Sequence, residues 1–187
     1  MKDALAAYKD AFPVFETERL RLRRIRNYDN ASMFRVMSQP NVTRYFNAWP
    51  MKELEEADAV IQKLESHFST GFGIRWAIEL KGLSPYIGSI GFFGGDENPF
   101  AAEIGFELAI EYWRKGFAAE AIRTLVPFGF SKLKLERIQA RVVDGNIASQ
   151  RLLEKCGFGY EGLQRKKGFW KNELQDLHFY SIFKEDI

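Results

Sequence analysis

The sequence predicts a single mixed α/β domain whose centre follows the order strand, helix, strand, helix, strand. Hydrophobic residues make up 46% of the 187 residues and aromatic residues 15%, which is enough for a large core. Segments with the alternation of a strand take turns with segments that have the period of a helix. No repeat, low-complexity tract or long linker interrupts them. We therefore expect one domain over residues 1–187, with residues 1–16 as an N-terminal lead.

The first part of the chain is expected to contain three strands and two helices. Arg and Leu alternate after Glu18, as in a half-buried strand, and prolines at 40 and 50 limit two helical patterns. The predicted strands are Arg19 to Arg24, Arg75 to Leu80 and Tyr86 to Phe93, the predicted helices are Tyr28 to Met37 and Lys52 to Ser66, and a turn is expected at 81–85.

The second part of the chain supplies the central order of strands and helices. A strand over Glu103 to Leu108 leads through a tight turn into a helix that begins at Gly116, and Pro127 should kink or end that helix. The remaining predicted elements are a strand over Arg137 to Val143, a helix over Ile147 to Lys155 closed by Gly157, and a final strand over Leu174 to Phe183. The two strands that flank the Gly116 helix should be parallel, and ligands of such sheets gather at the carboxyl ends of the strands.

Charge and cysteine content exclude several classes of protein. The net charge is only +2, and the cations are scattered, so we expect no nucleic-acid partner. The single cysteine, Cys156, cannot form an internal disulfide, and His67 and His178 lack the spacing of metal ligands. Charges interrupt the N-terminus too often for a signal peptide, and no apolar run is long enough for a membrane span. We expect a cytoplasmic protein without a bound metal.

The turn before Gly116 has the features of an anion site. The first turn of a helix carries N–H groups without intrahelical partners and the positive end of the helix dipole. Gly116 and Ala118 leave these amides uncovered, while Arg114 and Lys115 add charge at the rim. The segment predicts a phosphate or pyrophosphate site, although a strand-to-helix junction without a ligand has the same local pattern.

The segment from Asp144 to Phe158 contains a second group of polar residues. Ser149 shares the helical spacing of Leu152 and Cys156, which places a hydroxyl on the apolar face of the predicted helix. Two interpretations are open. Asn146 and Ser149 either cap the helix locally, or contact a ligand that lies between the two helices.

These motifs resemble the GNAT acyl-CoA N-acyltransferases, and within them the branch that acetylates the N-termini of ribosomal proteins. The resemblance covers the chain from about residue 17 to 184 in family order, with matching segments at 17–23, 87–92, 102–106, 112–121, 146–158 and 176–180. One departure is Trp113, where the superfamily motif favours Gln or Arg. The resemblance implies a GNAT-type mixed, mainly antiparallel sheet with flanking helices around the central β-α-β-α-β segment.

The resemblance also implies acetyl-CoA as the cosubstrate and places its parts. The residues expected to bind the pyrophosphate are Arg114, Lys115, Gly116, Phe117 and Ala118, and those expected to pair with the pantetheine arm are Leu108, Ala109 and Ile110. Asn146 and Ser149 should border the thiol end. Aromatic residues between the first two helices, Tyr45, Phe46 and Trp49, are either part of the acceptor wall or ordinary core.

In this family an amine attacks the thioester directly, so the implied roles are a base, an oxyanion donor and an acid. The resemblance assigns Ser149 as the acid, and Glu103 before Glu107 as the base, while a backbone N–H between residues 106 and 109 is the expected oxyanion donor. The branch also has a glutamate base further along the chain, where ungapped matching puts Gly168.

The acceptor stays open in the sequence. A protein N-terminal α-amine is the first prediction, and a polyamine, an aminoglycoside or an amino-acid-like amine is the alternative. A non-catalytic acyl-CoA-binding module is the rival from another class. Neither a membrane partner nor direct nucleic-acid binding is expected, and assembly as a homodimer is left open.

Overall fold

In the part of the chain that the structure describes, a mixed sheet of eight strands organises the protein. The computed structural model describes residues 1–82, 86–94 and 98–187. The strands are β1 (Phe15–Glu16), β2 (Leu20–Arg24), β3 (Gly73–Leu80), β4 (Tyr86–Gly94), β5 (Ala101–Leu108), β6 (Arg137–Val143), β7 (Gly159–Trp170) and β8 (Glu173–Phe183). They lie in the order β1-β2-β3-β4-β5-β6-β8-β7. The β5–β6 pair is parallel and the other neighbours are antiparallel, as the mainly antiparallel prediction requires.

Among the described residues, six α-helices flank the sheet. They are α1 (Lys2–Ala6), α2 (Asn30–Met37), α3 (Pro40–Thr43), α4 (Leu54–Thr70), α5 (Phe117–Ser131) and α6 (Ile147–Lys155). The helix α4 begins at the capping box of Glu53 and Glu56 and ends at Gly71, whose φ of 78° provides the left-handed C-cap. Within the described ranges no helix is both long and apolar enough to cross a bilayer.

Two apolar cores occupy the two faces of the sheet. Buried residues of α5, among them Ile122 and Leu125, pack with Trp76 and Phe92 on one face. On the other face α2 and α4 cover a smaller core that includes Met33 and joins the sheet at Ala77 and Tyr86. The central strands β3 and β4 are buried almost continuously along their length, as this two-sided packing requires.

Most predicted elements are present, and the differences have local causes. The helix α5 continues through Pro127 to Ser131, so the proline does not end it, because Val126, Phe128 and Phe130 on both sides of the proline are buried. The strand β7 was not predicted, since most of its residues are exposed and its cations hide the alternation. The short helices α1 and α3 were also missed. Residues 83–85 of the predicted turn lie outside the described part of the chain.

The N-terminal segment is bound to the main core. Leu5 is 1% exposed, and the indole Nε1 of Trp76 donates to the Pro13 carbonyl at 2.7 Å. The rings of Phe12 and Phe15 pack edge-on against Trp76, with centroids 5.7 and 5.9 Å away. Residues 1–16 therefore cover one end of the core and are not a separate N-terminal lead.

A gap opens between the two parallel strands at the centre of the sheet. The β5–β6 ladder joins only Ala101 to Arg137, Ala102 to Ile138 and Glu103 to Gln139. Beyond these pairs, residues 104–108 and 140–143, all within the described ranges, have no ladder partner across the gap. The helices α5 and α6 both begin at this carboxyl edge, which is where a ligand is expected in such a topology.

Candidate active site

Every second residue of β5 points its backbone N–H and C=O toward the gap. The N–H of Ala109 donates to the Ile87 carbonyl at 2.8 Å, so odd-numbered residues of this strand pair with β4. Phe106 and Leu108 then present their backbone groups to the gap. The Leu108 carbonyl accepts the indole Nε1 of Trp113 at 2.7 Å. Among the residues predicted for pantetheine, the Leu108 N–H therefore faces the gap, while the Ala109 N–H already has a partner.

The turn that leads into α5 is held in an unusual backbone conformation. Arg114 has a φ of 59° and Gly116 a φ of 83°, both in the left-handed region. Phe117 is the first helical residue, Gly116 is exposed and Ala118 is half-buried. Amides of the first helical turn lack intrahelical partners, so the turn offers N–H groups to an anion at the carboxyl edge of β5.

Arg19 and Glu120, which the sequence did not indicate, support this turn. The Nη1 of Arg19 donates to the Lys115 carbonyl at 2.9 Å, and its guanidinium carbon lies 4.6 Å from the Phe117 ring centroid. Its Nε also donates to Glu120 Oε2 at 2.7 Å, and the Thr17 hydroxyl donates to Glu120 Oε1 at 2.5 Å. The contact joins the β1–β2 turn to the first turn of α5, although the residues lie about a hundred positions apart.

The carboxylate of Glu120 is stabilised in its charged form. Burial alone would raise its pKa, but the hydrogen bonds from Thr17 and Arg19 outweigh burial and lower the pKa of Glu120. Arg19 fixes the geometry of the turn. Because Glu120 neutralises part of the charge of Arg19, the arginine adds less than a full positive charge to the turn.

The first turn of α6 lies on the other side of the gap. The Asn146 side chain caps the helix by accepting the Ser149 N–H at 3.3 Å. The local interpretation of Asn146 is therefore correct. The hydroxyl of Ser149 is half-buried and makes no hydrogen bond within the described residues, so it is available to a ligand as well.

The two helices are held side by side further along. The Nη2 of Arg123 in α5 donates to the Lys155 carbonyl at the end of α6, at 2.9 Å. Cys156 is half-buried beside Ala119, and burial raises the pKa of its thiol. A thiol with a raised pKa is a poor nucleophile, so Cys156 is a packing residue.

Glu107 lies in a closed hydrogen-bond network. It is 7% exposed, forms an ion pair with Arg75 and accepts a hydrogen bond from the Ser89 hydroxyl. The Tyr86 hydroxyl donates to Glu107 Oε1 at 3.0 Å, and burial raises the pKa of Tyr86 well above its ordinary value. Hydrogen-bond donors of the protein surround the carboxylate, so it is poorly placed to accept a proton from a substrate.

Glu103 has a more open environment on the same sheet face. Its side chain is 26% exposed and its Oε2 lies 2.7 Å from Nε of Arg141 on β6. Burial raises the pKa of Glu103 and outweighs the opposite influence of Arg141. Glu103 thus lies where β5 and β6 last pair, at the closed end of the gap, with one charged partner and access to solvent.

A hydrogen-bonded chain lies beside the β6–α6 turn. The Nε2 of His178 is 3.0 Å from Asp144 Oδ1, and its Nδ1 is 3.1 Å from the Tyr160 hydroxyl. The hydrogen bond from His178 lowers the pKa of Asp144. Asp144 comes two residues before Asn146, so this chain supports the turn that caps α6. Tyr160 lies in β7 and Asp144 in the turn after β6, 18 and 34 positions away from His178, so the sequence indicated neither partner.

The remaining predicted positions lie at the rim of the site. The Tyr45 hydroxyl donates to the Gly145 carbonyl at 2.9 Å, and Trp49 is 64% exposed. At Gly168 a Cβ would lie 3.1 Å from Cδ1 of Leu177, a side chain that is fully buried. A glutamate at this position of β7 would not fit without displacing Leu177.

A cavity of about 380 Å³ lies at the β2 edge of the sheet, separated from the gap by β3 and β4. Its lining includes four arginines, Arg21, Arg23, Arg24 and Arg26. Arg23 is paired with Asp29 and Glu79, and Arg24 with Glu65. Since carboxylates match most of its charge, we do not assign this cavity to an anion.

The comparisons with known proteins agree on one family. A family model described as an acetyltransferase (GNAT) domain matches residues 19–159. A Bacillus subtilis protein named as an uncharacterized N-acetyltransferase, YoaA, is 42% identical over 173 residues, which is 92% of this chain and 98% of that protein.

Two solved structures share the fold with different acceptors in their names. One is a ribosomal α-N-protein acetyltransferase, RimL, in complex with coenzyme A, with a TM-score of 0.81, 15% identity and 94% and 100% of the two chains covered. The other is a spermidine N-acetyltransferase from Vibrio cholerae in complex with CoA and spermine, with a TM-score of 0.77, 24% identity and 91% and 98% covered. At these identities the likeness shows the fold alone.

Proposed function

Because this chain belongs to the GNAT family of acetyltransferases, we propose that it transfers the acetyl group of acetyl-CoA to a protein N-terminal α-amine. Acetyl transfer to an amine is the activity of the family. The observation that carries the site assignment is the gap between β5 and β6, because both helix N-termini and the free edge of β5 meet there.

The residues around the gap suit an acyl-CoA molecule. The uncovered amides between Arg114 and Ala118 suit its pyrophosphate, and the left-handed turn brings backbone close to the anion. The free edge at Phe106 and Leu108 suits the amides of the pantetheine arm, with Ala109 and Ile110 at the end of the strand. Asn146 and Ser149 would then border the thioester.

The chemistry needs three groups around the thioester carbon. The amine nitrogen bonds to the carbonyl carbon as the carbon–sulfur bond breaks, and a β5 backbone N–H facing the gap stabilises the developing oxyanion. Glu103 accepts the proton of the amine through a water molecule, because its carboxylate lies at the closed end of the gap. The Ser149 hydroxyl supplies a proton to the leaving thiolate, whose ordinary pKa of about 8.5 makes this a modest aid.

The strength of the base favours an α-amine acceptor. At pH 7 roughly a tenth of an α-amine with a pKa near 7.8 is unprotonated, against a few parts in ten thousand of a lysine side chain. Glu103 is paired with Arg141 and works through water, and Gly168 leaves the alternative position without a carboxylate. A weak base is sufficient only for an acceptor that is already partly unprotonated.

Release of free thiol from acetyl-CoA tests this function. We expect turnover with a peptide that carries a free N-terminus, and none with the same peptide acetylated at its α-amine. Turnover with spermidine but not with the peptide would contradict the α-amine assignment. Coenzyme A binding without turnover on peptide, polyamine, aminoglycoside or lysine would instead identify a non-catalytic acyl-CoA-binding module.

A further inference from the structure

The turn between β7 and β8 has an unexpected residue at its first position. Lys171 and Asn172 have φ values of 53° and 64°, and Trp170 pairs with Glu173 on either side of them. This is the geometry of a two-residue type I′ turn, in which Asn or Gly normally takes the first position because both central residues have positive φ. A lysine here adopts an unfavourable backbone conformation, so its side chain calls for an explanation.

The Lys171 side chain crosses to the segment that follows α3. Its Nζ donates to the carbonyl oxygens of Thr43 at 2.6 Å and Arg44 at 3.2 Å, which are the last residue and the C-cap of that helix. Its backbone N–H donates to Asn47 Oδ1 at 3.2 Å, and the Nζ lies 5.5 Å from the Trp49 ring centroid. One residue therefore contacts the segment at four points.

The same segment is attached to the active site at a second point. We call residues 43–49 the strap. The Tyr45 hydroxyl in the strap donates to the Gly145 carbonyl, one residue before the α6 cap at Asn146. Between α3 and α4 the strap has no helix or strand, and Asn47, Ala48 and Trp49 are exposed. Its position is thus set by long-range contacts rather than by its own secondary structure.

The strap lies at the carboxyl edge where the gap opens. Val143, the last residue of β6, pairs with Leu177, so the β7–β8 turn extends beyond the end of β6. The strap runs from that turn to the β6–α6 turn and adds aromatic side chains to the rim. We propose that Lys171 is a positioning residue that holds the strap as a wall of the acceptor site and so determines acceptor affinity. This rests on the proposed acetyl transfer.

The variant Lys171→Asn tests this role because asparagine suits the turn but cannot reach the strap carbonyls. We expect the KM for the peptide acceptor to rise about tenfold, with the KM for acetyl-CoA changed less than twofold. Lys166→Asn is the matched control. Lys166 lies in β7 and has the same φ of 53°, and its backbone N–H, which the variant keeps, donates to Asp176. Both Michaelis constants of this control should stay within twofold of the wild type.

Hydrogen exchange of the strap amides gives a readout that does not require turnover. We expect faster exchange of residues 44–49 in Lys171→Asn and unchanged exchange in Lys166→Asn. Unchanged exchange in Lys171→Asn would overturn the attachment, and faster exchange with an unchanged acceptor KM would overturn the role in acceptor binding. Absence of wild-type turnover with every amine would contradict the proposed function, whereas the exchange result would still decide the attachment.

Discussion

Glu103 and Glu107 show how two carboxylates of one strand face can differ in what they are able to do. Glu107 accepts hydrogen bonds from buried side chains and is paired with Arg75, so groups inside the protein already stabilise its negative charge. Glu103 retains access to solvent and has a raised pKa. A base must be able to gain a proton during the reaction, and of these two carboxylates Glu103 is the one that is accessible to solvent.

At this scale we predict that Glu103→Gln lowers turnover about a hundredfold at pH 7. Glu103 acts only when ionised, so the acid limb of the wild-type profile should lie above the ordinary range of a glutamate, as its raised pKa requires. In the variant that limb disappears, and activity should follow deprotonation of the amine at higher pH. The measurement is kcat/KM against pH for the peptide acceptor.

Glu107→Gln is the comparison variant. It leaves the Arg75 guanidinium buried without its counter-charge, so we expect a loss of about 3 kcal/mol in the free energy of unfolding. Glu103→Gln should lose less than about 1 kcal/mol because the Arg141 side chain is 41% exposed and remains hydrated without its partner. If Glu107→Gln kept its stability but showed the altered pH profile, Glu107 would be the base.

At the scale of elements, the junction between β5 and α5 depends on its backbone conformation and on a contact with a distant residue. The left-handed residues Arg114 and Gly116 turn the chain sharply, so that the amides of the first helical turn face the gap. The contact of Arg19 with the Lys115 carbonyl and Glu120 then fixes the turn against the β1–β2 turn. Loop conformation and helix position are therefore coupled, as a preorganised anion site requires.

We predict that Gly116→Glu weakens coenzyme A binding at least about tenfold, since the loss of one charge-assisted contact is worth that much. A glutamate at position 116 would have to adopt an unfavourable positive φ, and its Cβ would lie 3.3 Å from Nη2 of Arg19. Gly82→Glu is the matched control, because Gly82 has a φ of 82° and no neighbour within 4 Å of an added Cβ. Equal affinities in the two variants, measured by calorimetry, would contradict the pyrophosphate assignment.

Glu120→Gln tests the contact between the two turns. The lowered pKa of Glu120 means that its charged form stabilises the fold above the unfolded-state pKa, and that this contribution is lost as pH falls through the folded-state pKa. We expect the variant to be about 1–2 kcal/mol less stable than the wild type at pH 7. The difference should disappear once the pH lies below the folded-state pKa of Glu120, and urea unfolding at neutral and at acid pH would show a constant difference if the contact were unimportant.

For the whole molecule, the N-terminal segment decides how the domain is closed. Leu5 is buried, and Phe12 and Phe15 pack on Trp76 in the main core. We propose that residues 1–187 fold as one cooperative domain. Deletion of residues 1–13 should then cost at least about 3 kcal/mol, because buried Leu and Phe side chains are worth roughly 1.5–3 kcal/mol each.

That loss corresponds to a fall of roughly 6–12 °C in Tm for a domain of this size. Calorimetry of the shortened protein should show a single transition at the lower temperature. An unchanged Tm would mean that the segment is peripheral, in spite of the Trp76 indole bond to Pro13.

Elements with a strong local signal were predicted from the sequence, and elements without one were not. The helix over Ile147 to Lys155 has an asparagine cap and a closing glycine, and its predicted bounds agree with those of α6. By contrast, β7 is an edge strand without clear alternation, and Pro127 is tolerated because residues on either side of it are buried. Burial against other elements can override the preference of a single residue.

The sequence by itself determined the family, the order of the elements and the two helix starts at Gly116 and Asn146, because these depend on neighbouring residues and on local periodicity. Only the tertiary structure decided which charged group meets which partner. It separated Glu103 from Glu107 by environment, joined Arg19 to Glu120 and brought Lys171 to the strap. Those contacts link residues 32 to 128 positions apart. Local periodicity indicates which face of an element is buried, but not what that face contacts.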